Sequence, residues 1–174
     1  MQAVDPDVVV RRLEPSDWQL FREIRLRALA ESPAAFGSTL AEASRLGEAD
    51  WRERLAGRAQ FMAIRGPDAL GTAAGIATDA GAELISMWVD PRARGHGVGD
   101  RLVGAVLGWA TGEAHGAVAL WVAEGNLPAE RLYRRHGFRR TGAVKPMTDE
   151  RPDRREFEMG RVLEPGDRTQ VERG

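Results

Sequence analysis

The stretch Val89-Asp-Pro-Arg-Ala-Arg94-Gly-His-Gly-Val-Gly99 decides the fold class of this 174-residue chain. Its three glycines stand where an apolar strand, predicted at 84–89, gives way to an amphipathic helix. Glycine has no Cβ, so the backbone can curl and turn successive N–H groups towards one anion. The N-terminus of the following helix adds about half a positive elementary charge. The stretch therefore predicts a pyrophosphate-binding loop.

The hydrophobic pattern around this loop predicts a mixed α/β protein. Strands are expected at 8–13, 61–64, 71–77, 84–89, 118–122, 138–144 and 155–161, and helices at 18–31, 48–55, 97–114 and 128–136. Gly137 suits a left-handed helix cap. Residues 33–47 are expected to form a loop that could contact substrate, and a long polar loop is expected between the last two strands.

The first predicted helix has one apolar face. Spacing places Leu20, Phe21, Ile24 and Ala28 on that face, whereas Arg22, Glu23, Arg25 and Arg27 are expected to point elsewhere.

Composition limits the classes of partner. The formal charge of -1 gives no footprint for nucleic acid, although every basic residue except Lys145 is arginine. Cysteine is absent, and the three histidines are not grouped, so we expect neither an acyl-cysteine intermediate nor a metal site. Met1 to Asp7 does not resemble a signal peptide, and no apolar run has membrane-spanning length. We therefore expect a cytoplasmic protein without membrane contact.

A dinucleotide-binding Rossmann unit uses the same anion physics with a different glycine spacing. Its glycines should follow the first strand of a βαβ series, with an acidic residue about 20 positions further on. Here the loop follows several predicted antiparallel strands, and few βα repeats are present. The order of elements disfavours a Rossmann fold.

Over residues 8 to 161 the chain resembles the GCN5-related N-acetyltransferase (GNAT) family. The Arg/Gln-x-x-Gly-x-Gly/Ala signature of that family is matched by Arg94-Gly95-His96-Gly97-Val98-Gly99, and its following helix by Asp100-Arg101-Leu102. A second signature is matched by Val122-Ala-Glu-Gly-Asn126, Ala129, Leu132-Tyr133 and Gly137-Phe138.

The resemblance implies the fold and the domain organisation. We expect an α/β (α+β) fold with a mixed, mostly antiparallel central sheet of six to seven strands, helices on both faces and a splay between strands 4 and 5. Residues 1–163 would form a single acetyltransferase domain, and residues 164–174 a flexible C-terminal tail.

The resemblance also implies a cofactor site for acetyl-CoA, without a metal. Backbone groups near Met87 and Val89 would pair with the pantetheine arm, and the amides of the loop would bind the pyrophosphate. Asn126 would contact the cofactor through its side chain, although it is equally suited to cap the next helix. The expected cofactor-binding residues are Met87, Val89, Arg94, Gly95, His96, Gly97, Val98, Gly99, Asp100, Asn126 and Tyr133.

Two residues are expected to carry the acid–base chemistry. The resemblance implies that Tyr133, the only tyrosine, lies where its hydroxyl reaches the cofactor sulfur. It would donate a proton there, because a phenol of pKa about 10 is protonated at neutral pH; a packed, structural role is the alternative. Glu83 lies six residues before Val89, as does the base in the histone-acetylating branch of the family. The chain has Ile85 and Ser86 where other branches carry an acidic residue, so a water chain stays an alternative base.

The expected activity is transfer of an acetyl group to a primary amine by direct attack in a ternary complex. The resemblance places the segments of Phe36, Trp88 and Trp121 beside the splay, so these residues are candidates for contact with the acceptor, with core packing as the alternative for the tryptophans. The acceptor would be a small-molecule amine or a peptide or protein amine, and the protein a monomer or homodimer. An acyl-CoA sensor without turnover, a longer acyl-CoA donor and an oxygen acceptor remain alternatives.

Overall fold

The computed structural model describes residues 6–148 and 151–164. Seven strands form one sheet in the order β1-β2-β3-β4-β5-β7-β6. The strands are β1 (Val9–Arg12), β2 (Ala59–Arg65), β3 (Asp68–Thr78), β4 (Gly81–Val89), β5 (Ala117–Ala123), β6 (Arg139–Thr148) and β7 (Arg151–Val162). The helices are α1 (Trp18–Glu31), α2 (Leu40–Ser44), α3 (Glu48–Ala56), α4 (Val98–Gly112) and α5 (Leu127–Arg135).

The sheet is mixed, as predicted. β1 pairs antiparallel with β2, and β7 pairs antiparallel with both β5 and β6. β4 and β5 are parallel, with Ala82 opposite Val118 and Glu83 opposite Ala119. These paired residues lie at the beginning of the nine-residue β4. Pairing at only one end is what a splay between the two strands requires. The predicted α/β (α+β) fold class is confirmed.

The chain divides into two compact units. One comprises Ser86–Leu102 and the described residues of Met1–Ala74, and the other comprises Gly75–Ile85 and the described residues of Val103–Gly174. The single domain expected for residues 1–163 stays a prediction. The expected flexible tail, apart from Glu164, lies outside the described residues.

The first unit has an aromatic core between α1, α3 and β2. Trp51 on α3 meets Phe21 on α1 edge to face at 5.4 Å between ring centroids, and both rings are fully buried. Such pairs stabilise a core by about 1 kcal/mol beyond the area they bury. The apolar face predicted for α1 is correct for Phe21, Ile24 and Ala28.

Two assignments on α1 are wrong. Leu20 is 42% exposed, and Arg25, expected to point away from the core, is buried. Arg25 is tolerated there because its guanidinium lies over the Phe36 ring, 4.4 Å from the centroid, and donates to Ser38.

The second unit is built on the β5–β7–β6 ribbon. Burial alternates along β5, so Val118, Leu120 and Val122 face the core while the residues between them stay half-exposed. Gly75 on β3 accommodates the Trp109 ring, since a Cβ there would lie 2.3 Å from the indole. Gly137 follows α5 with a φ of 81°, as the sequence predicted.

The connections differ from the sequence-based expectation. Residues 33–47 contain the short helix α2, which begins at a capping box in which Thr39 and Glu42 bond each other's backbone N–H groups. The long polar loop predicted before the last strand is wrong, because β6 extends to Thr148 and β7 begins at Arg151. None of the helices in the described part of the chain has the length and apolar character of a membrane span.

Candidate active site

The glycine loop has a backbone that suits an anion. Gly95 and Gly97 both adopt left-handed conformations, with φ of 78° and 77°. The first helical hydrogen bond of α4 runs from the Arg101 N–H to the Gly97 carbonyl, at 3.1 Å. The amides of Val98 and Gly99 therefore precede the hydrogen-bond ladder of the helix. Alternating left-handed residues before a helix N-terminus form a concave set of N–H donors.

Asp90 fixes the entry to this loop. Its Oδ1 accepts a hydrogen bond from the Arg92 N–H at 2.9 Å and caps the 3-10 turn Pro91–Ala93. Its side chain is 8% exposed and binds the guanidinium groups of Arg92 and Arg27. Hydrogen bonds from Arg92, and then from Arg27, hold the pKa of Asp90 well below its usual range in spite of burial.

Arg94, the first residue of the signature, is held by two acceptors. Its Nη2 lies 2.9 Å from Glu31 Oε2, and its Nε donates to the Val89 carbonyl at 3.0 Å. The same Glu31 oxygen accepts a hydrogen bond from Trp88 Nε1 at 2.9 Å. Hydrogen bonds from Ser32, Trp88 and Arg94 lower the pKa of Glu31.

The remaining residues predicted in this unit have simpler surroundings. Phe36 and Trp88 are 7% and 5% exposed and belong to the same hydrophobic core. Met87 is half-buried. His96 is exposed, with Nδ1 2.8 Å from the Arg94 carbonyl oxygen. No group of three or more metal-ligating side chains occurs within 6–148 and 151–164.

In the second unit, α5 carries Asn126 and Tyr133. Asn126 Oδ1 accepts a hydrogen bond from the Ala129 N–H at 3.3 Å, so Asn126 is the N-cap of α5. Tyr133 is 5% exposed, and its ring meets Phe138 at 5.9 Å between centroids. Burial raises the pKa of the Tyr133 hydroxyl, so the phenol is protonated at neutral pH.

Glu83 interacts with the charges of Lys145, Glu156 and Glu158, and Lys145 lies over the Trp121 ring. Lys145 Nζ is 3.9 Å from the centroid of the Trp121 ring and 3.6 Å from Glu156 Oε2. Burial raises the pKa of Glu83, the charge of Lys145 opposes this shift, and the charges of Glu158 and Glu156 add to it. A carboxylate with a raised pKa in a half-buried position is a candidate general base.

Several residues of these networks were not assigned a role from the sequence. Glu156 and Glu158 alternate with the buried residues Phe157 and Met159. This alternation predicts that the two glutamates share one face of β7, but it does not identify the strand that pairs with β7. The strand register identifies β5 as a neighbour of β7, with Trp121 opposite Glu158. For Glu31, Arg27 and Asp90, the only local indication in the sequence is that Asp90 precedes a proline, a pair that suits a turn after a strand.

Comparisons with known proteins agree with this architecture. The model of the acetyltransferase (GNAT) family matches residues 18–138. The chain therefore belongs to the GNAT acetyltransferase family, and the resemblance seen in the sequence is confirmed. No curated protein matches the chain significantly.

Solved structures share the fold at low sequence identity. A GNAT acetyltransferase from Streptococcus pneumoniae is 18% identical, with 90% of this chain and 99% of that chain covered and a TM-score of 0.74. A ribosomal-protein-alanine N-acetyltransferase from Brucella melitensis is 21% identical, with 89% and 99% covered and a TM-score of 0.72. The Salmonella typhimurium protein yncA, described as an acetyltransferase and solved with its cofactor acetyl-CoA, is 20% identical, with 90% and 94% covered and a TM-score of 0.71.

Proposed function

We propose that this protein transfers an acetyl group from acetyl-CoA to a primary amine, by direct attack in a ternary complex. The observation that carries this proposal is the left-handed pair Gly95 and Gly97 directly before α4, in a chain of the GNAT acetyltransferase family. A bound acetyl-CoA supplies the activated thioester carbonyl. The similar Salmonella protein was solved with that molecule, which supports it as the donor.

The residues of the loop fit the diphosphate of coenzyme A. The backbone amides of Arg94, Gly95, His96, Gly97, Val98, Gly99 and Asp100 would donate to its oxygens. Because Asn126 uses Oδ1 to cap α5, its Nδ2 group is the donor that we assign to the cofactor. The Val89 carbonyl accepts from Arg94, so we assign the Val89 N–H, with Met87, to the pantetheine arm and the thioester.

The proton balance of the reaction needs one base and one acid. Glu83 would take the proton that the attacking amine loses as the C–N bond forms. The Val89 N–H would stabilise the negative charge that develops on the carbonyl oxygen. Tyr133 would donate its proton to the sulfur as the C–S bond breaks, and its raised pKa keeps that proton available at neutral pH.

The acceptor is proposed to be an amine of a small molecule, peptide or protein. Phe36, Trp88 and Trp121 are the aromatic residues assigned to it. The carboxylates of Glu83, Glu156 and Glu158 would attract a cationic amine to Trp121, where it loses one proton to water before the neutral amine attacks. We propose no nucleic-acid partner, and a monomeric or homodimeric protein.

Calorimetry with coenzyme A and NAD tests the cofactor, and thiol release with acetyl-CoA and an amine panel tests the reaction. We expect binding of coenzyme A, no binding of NAD, and thiol release that depends on an amine. Coenzyme A binding without turnover on any amine would favour an acyl-CoA sensor. Faster turnover with a longer acyl-CoA, or with alcohols, would favour the other two alternatives.

A further inference from the structure

Arg25 on α1 is a buried cation with an unused donor. Only 8% of its surface is exposed. Its Nη2 donates to Ser38 Oγ at 2.9 Å, whereas its Nη1 is buried without a hydrogen-bond partner. Leaving a buried charged donor unpaired is unfavourable, so an unpaired donor of this kind points to a missing acceptor.

The surroundings of Arg25 are positive. Burial, followed by the charges of Arg58 and Arg54, lowers the pKa of Arg25 to about 10. Burial and the charge of Arg54 also lower the pKa of Arg58. In the described part of the chain, no salt bridge joins any of these three arginines to a carboxylate. Positive charge that no carboxylate of the described residues balances favours the binding of an anion.

Other arginines of the same unit are neutralised by the chain itself. Arg11 pairs with Asp17 at 2.9 Å, and Arg27 pairs with Asp90. Arg25 is more deeply buried than either of them, yet among the described residues it has no carboxylate partner.

The aromatic contacts of this cluster connect it to the residues assigned to the acceptor. Phe36, over which Arg25 lies, belongs to the same core as Trp88. Ser38 belongs to the segment Phe36–Thr39, which joins the 3-10 turn Pro33–Ala35 to α2. The hydroxyl that Arg25 binds is therefore carried by a short irregular segment. A ligand oxygen can replace this hydroxyl without breaking a helix or a strand.

We infer that Arg25 binds a carboxylate of the amine acceptor, with Arg54 and Arg58 providing the positive surroundings. This rests on the proposed function and narrows the acceptor to an amine that carries a carboxylate, such as an amino acid. A guanidinium group presents paired N–H donors that match the two oxygens of a carboxylate. The carboxylate would accept from Nη1 and supply the counter-charge that the cluster lacks.

Matched pairs of acceptors test this inference. Thiol release is measured for amino acids and their C-terminal amides, and for phosphoethanolamine and ethanolamine. We expect at least one amino acid to exceed its amide about tenfold or more in kcat/KM, as loss of a charged hydrogen bond implies. The lower amine pKa of an amide works against this result, so the comparison is conservative. A phosphoethanolamine preference over every amino acid would overturn the carboxylate assignment.

Variants connect that preference to Arg25. Arg25→Gln should reduce the acid-to-amide ratio about tenfold, whereas the exposed Arg45→Gln, with the same change of charge, should leave it unchanged. If Arg25→Gln does not fold, Arg58→Gln provides the second test, with an expected rise of about threefold in the KM of the amino acid.

The outcomes separate this inference from the proposed function. Acetylation of amines without preference for the acid, an acid-to-amide ratio that Arg25→Gln leaves unchanged, or an amino-acid KM that Arg58→Gln leaves unchanged overturns the inference and leaves the acetyltransferase proposal standing. Coenzyme A binding without release of thiol on any amine overturns both.

Discussion

The carboxylate of Glu31, at the end of α1, lies 2.9 Å from the guanidinium of Arg94, the first residue of the glycine loop. This ion pair connects α1 with the proposed cofactor loop, and α1 precedes the Phe36–Thr39 segment in the chain. The Trp88 indole donates to the same carboxylate oxygen, so three parts of one unit meet at a single atom.

Removing this ion pair should weaken cofactor binding moderately. Arg94 is half-exposed, and exposed pairs stabilise by up to about 1 kcal/mol, so Glu31→Gln should raise the Kd for coenzyme A by no more than about fivefold. Calorimetry at low and high salt measures this, and high salt should reduce the difference between the proteins. Unchanged or tighter binding by the variant at low salt would show that the pair does not orient the loop.

Gly97→Ala should greatly weaken coenzyme A binding. A side chain at a φ of 77° costs about 1–2 kcal/mol, and relief of that strain would turn the amides away from the anion. The matched control is Gly104→Ala within α4, where a Cβ meets nothing within 4 Å and alanine favours the helix by about 1 kcal/mol. Calorimetry and thermal unfolding of both variants check the prediction, which is wrong if Gly97→Ala binds as the wild type does.

Tyr133→Phe should lower turnover about 100-fold and leave coenzyme A affinity nearly intact. The ring and its contact with Phe138 are retained, so the variant removes the hydroxyl alone. Because burial raises the pKa of Tyr133, the wild-type rate should show no alkaline loss from this group below pH 10. Steady-state rates of thiol release measure both effects, and an unchanged kcat would exclude the hydroxyl as the acid.

Glu83 should set an acidic limb in the pH profile of kcat/KM. A base must be ionised, and the pKa of Glu83 is raised from 4.5, so this limb should lie above pH 4.5 and disappear in Glu83→Gln. Lys145→Met should move it to higher pH, because the charge of Lys145 opposes the rise, whereas Lys145→Arg should leave it in place. A profile that Glu83→Gln does not alter would indicate that water is the base.

Asp90→Asn should destabilise the protein by about 2 kcal/mol at pH 7, since it leaves the Arg27 guanidinium without its charged partner. The pKa of Asp90 is lowered in the folded protein, so its stabilisation is complete above the unfolded value of 3.8 and declines as the pH falls below it. Denaturant unfolding at several pH values should therefore show the two proteins converging below about pH 4. A constant difference between them down to pH 2 would contradict this account.

The elements that the sequence predicts well are those defined by local periodicity. The observed limits of α1 are the predicted ones, and the glycine after α5 has the expected left-handed conformation. The same periodicity assigned Arg25 to the surface, because a charged residue is taken to face solvent unless a partner is known. Its partners, Phe36 and Ser38, lie 11 and 13 residues further on, beyond the reach of a helical pattern.

The candidate site shows the same limit. Glu83 was predicted from the resemblance of its strand to that of the histone-acetylating branch, but the charged groups that alter its pKa lie on β6 and β7, whose pairing no single strand encodes. Conversely, the glycine loop could be predicted with the residues that compose it, because its conformation depends on neighbours in sequence.

Lys145, beside Trp121 and Glu156, is the only lysine of the chain. Any chemical acylation or autoacylation of a lysine must therefore occur at this one position, among the charged residues that act on Glu83. Among the amines of the printed sequence, an added acetyl group can then be carried by this side chain or by the terminal amine. A fragment spectrum of the intact protein distinguishes them without a peptide map.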